Sequence, residues 1–501
     1  MSARRWITAL VMMCLALAYA SANASAADFE QERQEAFKLG VQAYIYGQPL
    51  LDTERVYDST TSVTVADHIG DAPVNQFSHF VKLATEKEGV VVAPNADTLY
   101  SIAWLKLNRQ PMVLHVPETE AGRLNVVEML SPYTENFANI GQGTSGMLAP
   151  GSYVVAGPGE LEGQQETEGL KIIRSPYDRV WLIARTLVEG SEDVPNALAV
   201  QEATKIVPLS RWARQGLNYK AAEPRKIITT PTIHTIPGTK LGEPRLRYWA
   251  ALGRALARFT PPDADTPLLE QLATVNIGPG KAPKASNSGK GTLLGLEEAV
   301  EAGPLELERA LKAQFEAGFE AHNGWLVAGL GHYGTDYLER ALADKTGLGA
   351  PTPNLSIYPL ALTERHGVKL TGANRYVAHF PASDFPVPVT GFWSMTMYEV
   401  NGFFVANPLN RFTLGNRSDL HFNADGSLDV YLQAAEPANE VERENWLPAP
   451  AGEFELIMRL YGVYEEDIPG VLEGGPTHWQ PPTILPCLAN GETAAGWACA
   501  E

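Results

Sequence analysis

Pro94-Asn95-Ala96-Asp97-Thr98-Leu99-Tyr100-Ser101, continuing as Ile102-Ala103-Trp104-Leu105-Lys106-Leu107, is the stretch that decides the fold. Asn and Asp beside a proline favour a turn, because their side chains hydrogen-bond to nearby backbone groups. After the turn, apolar side chains point to both faces of the chain. A short strand that is apolar on both faces is typical of a packed β-sandwich. The stretch therefore predicts a turn that leads into a buried strand of about nine residues.

Short strand-like segments surround this stretch between residues 60 and 190. They are rich in β-branched and aromatic residues, and Gly, Pro, Asn and Asp separate them. Several short strands at this spacing are typical of an all-β sandwich. We therefore predict a β-sandwich over residues 60–190. Its expected strands include Val90–Ala93, Leu99–Leu107, Met112–Val116, Leu124–Met129, Tyr153–Ala156 and Val180–Val188.

Two other regions have a helical period. Residues 27–59 carry Phe37, Val41 and Ile45 at helical spacing, and Pro49 is expected to end the first helix there. Residues 191–355 are predicted to form a mainly helical domain. The helical patterns in that domain are Asn196–Arg214, Arg245–Phe259 and Leu305–Leu330.

Residues 356–467 return to a strand pattern. Short apolar runs alternate with turns, and Asp425-Gly426 between two such runs is a strong hairpin signal. We predict a second sandwich here, of the jelly-roll type. Residues 468–501 are rich in Pro and Gly at first and are expected to form a tail on the surface. The predicted fold class is a mainly β, multi-domain α+β protein with a helical insert.

Composition restricts the partners. The 501 residues carry a formal charge of −19, with 45% hydrophobic and 19% charged residues. A chain of this length usually forms more than one domain. Nucleic acids attract clustered Lys and Arg, so this acidic chain is not expected to bind them. Composition does not decide whether the chain forms a homo-oligomer.

The N-terminus has the pattern of a secretory signal peptide. Arg4 and Arg5 precede an apolar run from Trp6 to Ala20, and two A-x-A cleavage sites end at Ala24 and Ala26. The apolar run is short for a membrane span. We expect residues 1–26 to be removed, leaving a periplasmic or secreted protein with no stable membrane insertion.

The cysteines indicate one disulfide. Cys14 leaves with the signal peptide, whereas Cys487 and Cys499 remain, close together in the tail. Two cysteines in an exported chain favour a bridge that closes a short loop. The Cys and His spacings predict no zinc site, and we expect no metal and no cofactor.

Two groups of sequence blocks carry a family resemblance. They are Tyr44–Leu50, Asn75–His79, Pro94–Ser101 and Tyr133–Ala138, then Gly391–Tyr398, Asn407–Arg411, Asp425–Leu428 and Asn445–Pro450. With these blocks in order, the chain resembles a bacterial family of exported proteins with two consecutive domains of unknown function, often labelled only as cell-envelope proteins. The resemblance implies an immunoglobulin-like sandwich, a helical insert and a C-terminal jelly roll, and it supplies no catalytic residues.

Asp97, His79 and Tyr100 are the candidate catalytic residues. A carboxylate, an imidazole and a phenol provide general acid–base groups if burial adjusts their pKa values. We therefore hypothesise a hydrolase that acts on a small or carbohydrate-like substrate. The structural alternative is that Asp97 caps its turn while Tyr100 packs in the sandwich and His79 is a structural histidine.

Amide, guanidinium and aromatic groups are the candidate ligand-binding residues. Such groups bind hydroxyls, carboxylates and sugars by hydrogen bonding and stacking. They support the competing hypothesis, a non-catalytic protein of the cell envelope that binds a small molecule or a glycan. The structural alternative is a core tryptophan and loop asparagines in turns. The candidates are Asn95, Arg123, Trp393, Tyr398, Asn407 and Arg411.

Overall fold

The computed structural model describes residues 3–87, 93–120, 122–144, 146–222, 244–489 and 497–499. Residues 3–26, 244–245, 318–321, 488–489 and 497–499 are described by their backbone alone. The predicted strand Val90–Ala93 lies outside the described residues except for Ala93. Within these ranges, no helix is long and apolar enough to cross a membrane.

Helices and strands make up 32% and 27% of the chain, with several sheets and a helical region, so the predicted multi-domain α+β class is confirmed. The helices are α1 Ala3–Thr61, α2 Val194–Ala203, α3 Leu209–Gln215, α4 Pro244–Arg258, α5 Thr266–Ala273, α6 Lys290–Ala321, α7 Tyr337–Gly347, α8 Glu440–Glu444 and α9 Ile468–Glu473. The first ten strands are β1 Phe77–His79, β2 Thr98–Lys106, β3 Met112–Val116, β4 Asn125–Leu130, β5 Asn136–Gln142, β6 Gly151–Ala156, β7 Glu166–Thr167, β8 Leu170–Arg174, β9 Arg179–Leu187 and β10 Lys205–Pro208. The later strands are β11 Trp325–Leu326, β12 Ser356–Ile357, β13 Leu360–Ala361, β14 Arg375–Phe380, β15 Val389–Glu399, β16 Thr413–Gly415, β17 Leu428–Gln433, β18 Trp446–Pro448, β19 Phe454–Val463, β20 Thr483–Ala489 and β21 Trp497–Cys499.

The chain divides into two compact units. One is helical and comprises Met1–Val56, Pro231–Ala310 and Gly334–Thr346. The other comprises Tyr57–Thr230, Leu311–Tyr333 and Gly347–Glu501 and contains the sheets. The helical part of the sequence therefore does not form one contiguous domain over residues 191–355.

Helix α1 continues through Pro49, so the expected helix end there is wrong. Proline in a helix removes one backbone hydrogen bond. Tyr46 and Leu50 on either side of it are fully buried. Because tertiary packing supplies most of the stability of a helix in a protein, it outweighs the local interruption.

Glycines bring α1 and α6 close together in the helical unit. A Cβ atom on Gly40 would lie 2.5 Å from the Cβ atom of Ala299, and one on Gly303 would lie 2.3 Å from the ring of Tyr44. Neither distance is compatible with van der Waals radii. The hydrogen atom of glycine is therefore what permits this approach.

The helical unit also contains two neighbouring carboxyl groups, half-buried Asp52 and buried Asp344. Burial raises the pKa of Asp344 to about 8, and the charge of Asp52 and a hydrogen bond with Asp52 add to the rise. Asp52 itself pairs with Arg55 at 2.8 Å. Asp344 is 9% exposed. The carboxyl group of Asp344 therefore still holds its proton near neutral pH.

The first sandwich consists of two five-stranded sheets, ordered β1-β2-β9-β4-β5 and β10-β3-β6-β8-β7. Side chains from both sheets form one core, which includes Leu105, Val127 and Leu182 from one sheet and Leu114 and Val155 from the other. Strand β10 lies beyond residue 190 and replaces part of the helix predicted over Asn196–Arg214. It pairs with β3 at the edge of its sheet.

The second sandwich also has two sheets. Their orders are β11-β13-β19-β15-β16, with β12 pairing with β19, and β18-β17-β14-β20-β21. Strand β20 comes from the C-terminal tail and pairs with β14 inside the second sheet. The expectation that this tail only covers the surface is therefore wrong for residues 483–489.

Candidate functional site

Asp97 anchors the Pro94–Asp97 turn to the second sandwich. Its carboxylate accepts a hydrogen bond from Ser394 Oγ at 2.7 Å and forms an ion pair with Arg417. Its backbone oxygen accepts a hydrogen bond from Val188 N at 2.9 Å. The side chain is only 2% exposed. A carboxylate with these partners is held in a structural contact between strands of both sandwiches.

The neighbouring residues of the turn make similar contacts. Asn95 Oδ1 accepts a hydrogen bond from Asp97 N at 2.7 Å, and Asn95 Nδ2 donates to the hydroxyl of Tyr461 at 3.0 Å. The carbonyl oxygen of Pro94 accepts from the hydroxyl of Tyr398 at 2.5 Å and from Arg459 Nη2 at 3.3 Å. The whole turn is therefore fixed by side chains of β15 and β19.

Apolar side chains close the same contact between the sandwiches. Leu124, Val126 and Leu187 of the first sandwich form one buried cluster with Leu355, Phe392 and Tyr461. We call this contact, together with the polar contacts of the turn, the seam. Because the seam is both apolar and hydrogen-bonded, it fixes the two sandwiches against each other within the one compact unit.

Tyr100 lies on the face of the first sheet that points away from the sandwich core. Its neighbours on β2, Leu99 and Ser101, point to the other face, because side chains alternate along a strand. Register places Tyr100 directly opposite Arg185 on β9. Arg185 Nε donates to the Tyr100 hydroxyl at 3.4 Å, and its guanidinium lies 5.3 Å from the centroid of the ring. We call this face of the first sheet, which reaches the seam, the outer face.

Glu128 on β4 balances the charge of Arg185. Val126 is opposite Arg185, and Glu128 is two residues further along the same face. The two side chains form an ion pair in which both are almost fully buried. The pair is therefore a buried diagonal contact on the outer face.

Two further phenols meet Tyr100 at the seam. The hydroxyls of Tyr358 and Tyr461 are 3.3 Å apart. Burial raises the pKa of Tyr461 well above its ordinary value, and the nearby phenols add to this. Burial alone would also raise the pKa of Tyr100, but the charge and hydrogen bond of Arg185 outweigh it and lower that pKa. The pKa of Tyr100 therefore lies below that of Tyr461.

Exposure separates the members of this cluster. Tyr100 and Tyr358 are half-buried, whereas Arg185, Arg459 and Tyr461 are buried. The two half-buried phenols are consequently the members that a dissolved molecule reaches first. Further along the outer face, the indole N–H groups of Trp104 and Trp181 make no hydrogen bond with any described residue.

His79 does not join Asp97 and Tyr100. Register pairs it with Ser101, which points to the opposite face from Tyr100, and its Nδ1 lies 2.8 Å from Ser101 Oγ. Burial lowers the pKa of His79 to about 4, and the charge of Lys205 adds to the effect. The imidazole is therefore neutral at neutral pH, and the expected trio of acid–base groups is not assembled.

Arg123 has a structural role next to β4. It forms ion pairs with Asp193 at 2.7 Å and with Glu120 at 2.6 Å, and it donates to the carbonyl oxygen of Leu187 at 2.7 Å. The ion pair with Asp193 is bidentate. Because its donors are occupied in this way, Arg123 fixes the chain before β4 rather than presenting a free guanidinium.

The candidate residues of the second sandwich are also engaged. Trp393 is 3% exposed in the core between the sheets, and Tyr398 is fully buried, so neither forms the exposed aromatic platform that the binding hypothesis expected. Asn407 Oδ1 accepts hydrogen bonds from Leu409 N and Arg411 N and so stabilises its own loop. Arg411 donates to three backbone oxygens, those of Arg443, Glu444 and Trp446.

The remaining predictions concern cysteines and metals. Strands β20 and β21 pair Cys487 with Cys499 in backbone register, and the bridge between them stays a prediction. Among the described residues, no group of three or more His, Cys, Asp or Glu side chains is arranged to hold a metal ion.

Sequence reasoning missed the charged residues of the outer face and seam. Glu128, Arg185 and Arg459 each lie inside a strand that is mostly apolar and buried. A charge in the middle of such a strand is a detectable signal, because burying it requires a partner. The partners themselves come from strands that are distant in sequence.

Family profiles match both sandwiches. One, described as a protein of unknown function (DUF1254), matches residues 74–208, and the other, a protein of unknown function (DUF1214), matches residues 355–465. Among curated proteins, none matches this chain in sequence.

Two solved structures resemble the chain. The VPA0106 protein from Vibrio parahaemolyticus is 22% identical, with a TM-score of 0.63, over 90% of this chain and 99% of that one. A putative uncharacterized protein from Burkholderia cenocepacia is 13% identical, with a TM-score of 0.40, over 88% of this chain and 93% of that one. The first similarity shows a shared fold. The chain thus carries both of these domains of unknown function, in this order, and the predicted resemblance to a paired-domain family is confirmed.

Proposed function

We propose that this protein binds a small molecule on the outer face, at Tyr100 and Arg185. One observation carries the proposal: Tyr100 is half-buried rather than fully buried, while a buried guanidinium lies against both its ring and its hydroxyl. Hydrogen-bonding groups that converge beside apolar side chains are typical of ligand sites. Asp97, the best candidate from sequence, instead supports the site by fixing the strand entry.

The site offers both polar and apolar contacts. Tyr100 and Tyr358 provide hydroxyls that donate and accept. Ile102 is half-buried next to Tyr100 on the same face, with Ile183 opposite it on β9. A ligand with a polar head and an apolar body suits this arrangement.

The test compares Tyr100→Phe with the wild type in a thermal-shift screen of small organic acids, amides and sugars. We expect at least one compound to raise the unfolding temperature of the wild type and to lose about tenfold in affinity with the variant, since one hydrogen bond is removed. Tyr464→Phe is the matched control, because that tyrosine is 40% exposed in another part of the unit. Equal affinity of all three proteins for every compound that binds would refute the site.

A second candidate function is the hydrolase, now with Tyr100 as the acid–base group. The observation in its favour is the lowered pKa of Tyr100, which places its proton transfer nearer to neutral pH. An ester such as p-nitrophenyl acetate is the first probe. Catalysis by Tyr100 is supported if the wild type hydrolyses the ester and the alkaline limb of its pH–rate profile is missing in Tyr100→Phe. Identical pH–rate profiles of the two proteins contradict it.

We also propose export, from the signal-peptide pattern of residues 1–26. After expression in a Gram-negative host, N-terminal sequencing of the periplasmic fraction should give a start just after Ala24 or Ala26. An intact Met1 on the accumulated protein would contradict export. The mass of the same sample before and after reduction tests the predicted bridge between Cys487 and Cys499.

A further inference from the structure

Three buried polar side chains of the outer face have an atom without a hydrogen-bond partner among the described residues. The atoms are Nε1 of Trp104, Nε1 of Trp181 and Oδ1 of Asn136. These residues are 2%, 8% and 4% exposed. A buried donor or acceptor without a partner costs free energy, so proteins satisfy nearly all such groups with another residue, a water molecule or a ligand. Three of them on one face indicate that a polar group belongs there.

Strand register places these three residues in one row across the first sheet. Trp104 on β2 is opposite Trp181 on β9. Trp181 is also opposite Leu130 on β4, which is opposite Asn136 on β5. Since Trp181 and Asn136 are two strands apart, their backbones are separated by about 10 Å. The row is thus long enough for a small molecule with more than one polar atom. We call Trp104, Trp181 and Asn136 the polar row.

The two indoles are held in place by their rings. Trp104 and Trp181 are stacked, with centroids 5.3 Å apart and an angle of 4° between the planes, and Tyr57 packs edge-on against Trp104 at 5.0 Å. A Cβ atom on Gly349 would lie 3.1 Å from Cζ3 and 3.3 Å from Cη2 of Trp181. These atoms belong to the six-membered ring, on the side away from Nε1. Gly349 therefore covers that ring and not the N–H group.

The chemistry of the three groups defines their missing partner. An indole N–H only donates, whereas an amide oxygen only accepts. The partner must therefore combine a hydrogen-bond acceptor with a donor. The polar row itself carries no charge, and Arg179, two residues before Trp181 on the same face, already pairs with Asp178 at 2.7 Å. Because burying an unpaired charge is costly, an uncharged partner suits the row better than an ion.

We propose that the polar row binds the head of an uncharged ligand that carries both an acceptor and a donor, such as a carboxamide. The inference rests on the proposed binding site, of which the polar row is the inner end. The carbonyl oxygen of the ligand accepts from the indole N–H groups, and its N–H group donates to Asn136 Oδ1. Binding makes these hydrogen bonds and changes no covalent bond.

The apolar body of the ligand lies along Ile102 and Ile183. On the paired strands these residues lie between the tryptophans and the pair Tyr100 and Arg185. Tyr100 and Ile102 are half-buried, whereas the polar row is buried, so the head lies deeper than the body. Tyr100 and Trp104 are four residues apart on one strand, about 13 Å. This length suits an amide with one ring or a short alkyl chain.

The first experiment compares four probes of similar size on the full wild-type chain by isothermal titration calorimetry. Benzamide accepts and donates, acetophenone only accepts, ethylbenzene does neither, and benzoate carries a charge. We expect affinity to fall from benzamide to acetophenone to ethylbenzene by about three- to tenfold at each step, because hydrogen bonds are lost. Benzoate should bind more weakly than benzamide. Ethylbenzene or benzoate that binds as tightly as benzamide overturns the proposal.

Substitutions then locate the head of the ligand. Trp181→Phe keeps an aromatic ring but removes the N–H group, so it should weaken benzamide and acetophenone by about three- to tenfold and leave ethylbenzene unchanged. Asn136→Ala should weaken benzamide alone. Trp212→Phe, a half-buried tryptophan packed against the other sheet, is the control and should match the wild type.

The outcomes separate this inference from the proposed function. An equal loss for all probes in Trp181→Phe shows a structural role and overturns the polar row. Benzamide that loses affinity in Tyr100→Phe but not in Trp181→Phe or Asn136→Ala also overturns the polar row, while the binding site at Tyr100 stands. If neither these probes nor any compound of the thermal-shift screen binds, both proposals are contradicted.

Discussion

Replacing Asp344 with Asn should stabilise the helical unit at alkaline pH. Burial and the nearby Asp52 raise the pKa of Asp344 from 3.8 to about 8. The folded protein therefore holds a proton that the unfolded chain releases above about pH 4. Stability is fully present below the unfolded pKa, falls between about pH 4 and pH 8, and is constant above that. Asparagine does not titrate and its N–H group can still donate to Asp52, so the variant avoids this loss.

The size of the effect follows from the shift. A rise from 3.8 to about 8, at about 1.4 kcal/mol for each pKa unit, gives an upper limit of about 6 kcal/mol at pH 9. Because the amide does not reproduce every contact of the protonated carboxyl group, we expect the variant to recover about half, or about 3 kcal/mol. In a unit of this size that corresponds to about 10 °C in the unfolding temperature.

The assay is thermal unfolding followed by far-ultraviolet circular dichroism at about pH 5, 7 and 9. Wild type and Asp344→Asn should nearly coincide at the lowest pH, and the variant should become progressively more stable as the pH rises. Asp263→Asn, an exposed aspartate of the same unit, is the control and should follow the wild type. Unfolding temperatures of Asp344→Asn and wild type that run parallel across this range would refute the proton held by Asp344.

Three further substitutions test the packing. Glu128→Gln removes the charged partner of buried Arg185 and should lower the free energy of unfolding, measured by urea denaturation, by about 3 kcal/mol. A Glu→Gln change at the surface is the control and should leave it nearly unchanged. Asp97→Asn loses its ion pair at the seam, and we expect about 1–3 kcal/mol of destabilisation with ligand affinity at Tyr100 little changed; a complete loss of affinity in a folded variant would contradict its supporting role. Gly303→Ala places a methyl group against the Tyr44 ring and should lower the unfolding temperature by several degrees, since overpacking costs about 1–3 kcal/mol; an unchanged temperature would show that the helices separate easily.

Local sequence was sufficient to predict the strand after the Pro94–Asp97 turn. The expected strand Leu99–Leu107 and the observed β2, Thr98–Lys106, differ by one residue at each end. The reason is that alternation and turn chemistry are short-range properties. Strand β10 was missed because four residues at a sheet edge, between two helices, carry too little periodicity. Its position depends on pairing with β3, about 90 residues earlier in the chain.

The site could be predicted only in part. Tyr100 was identified from its place beside the turn, but its partner Arg185 is 85 residues away, and Asn95 meets Tyr461 across 366 residues. Contacts of this kind follow from strand register and from the docking of two sandwiches, which no local pattern encodes. Asp97 and His79 were chosen for their chemistry, and their hydrogen bonds turn out to be structural.

The seam limits how this protein can be divided or recombined. A fragment that ends after the first sandwich would expose the carboxylate of Asp97, the leucines and valine of the apolar cluster and the ion pair of Arg185. A fragment that begins at the second would leave Arg417 without the carboxylate of Asp97, and Arg459 without the carbonyl oxygens of Ala93 and Pro94. A chimera of two related chains joined between the sandwiches inherits mismatched partners unless these positions are exchanged together. The two domains thus occupy separate stretches of the sequence, but we expect them to fold together and to be exchanged together.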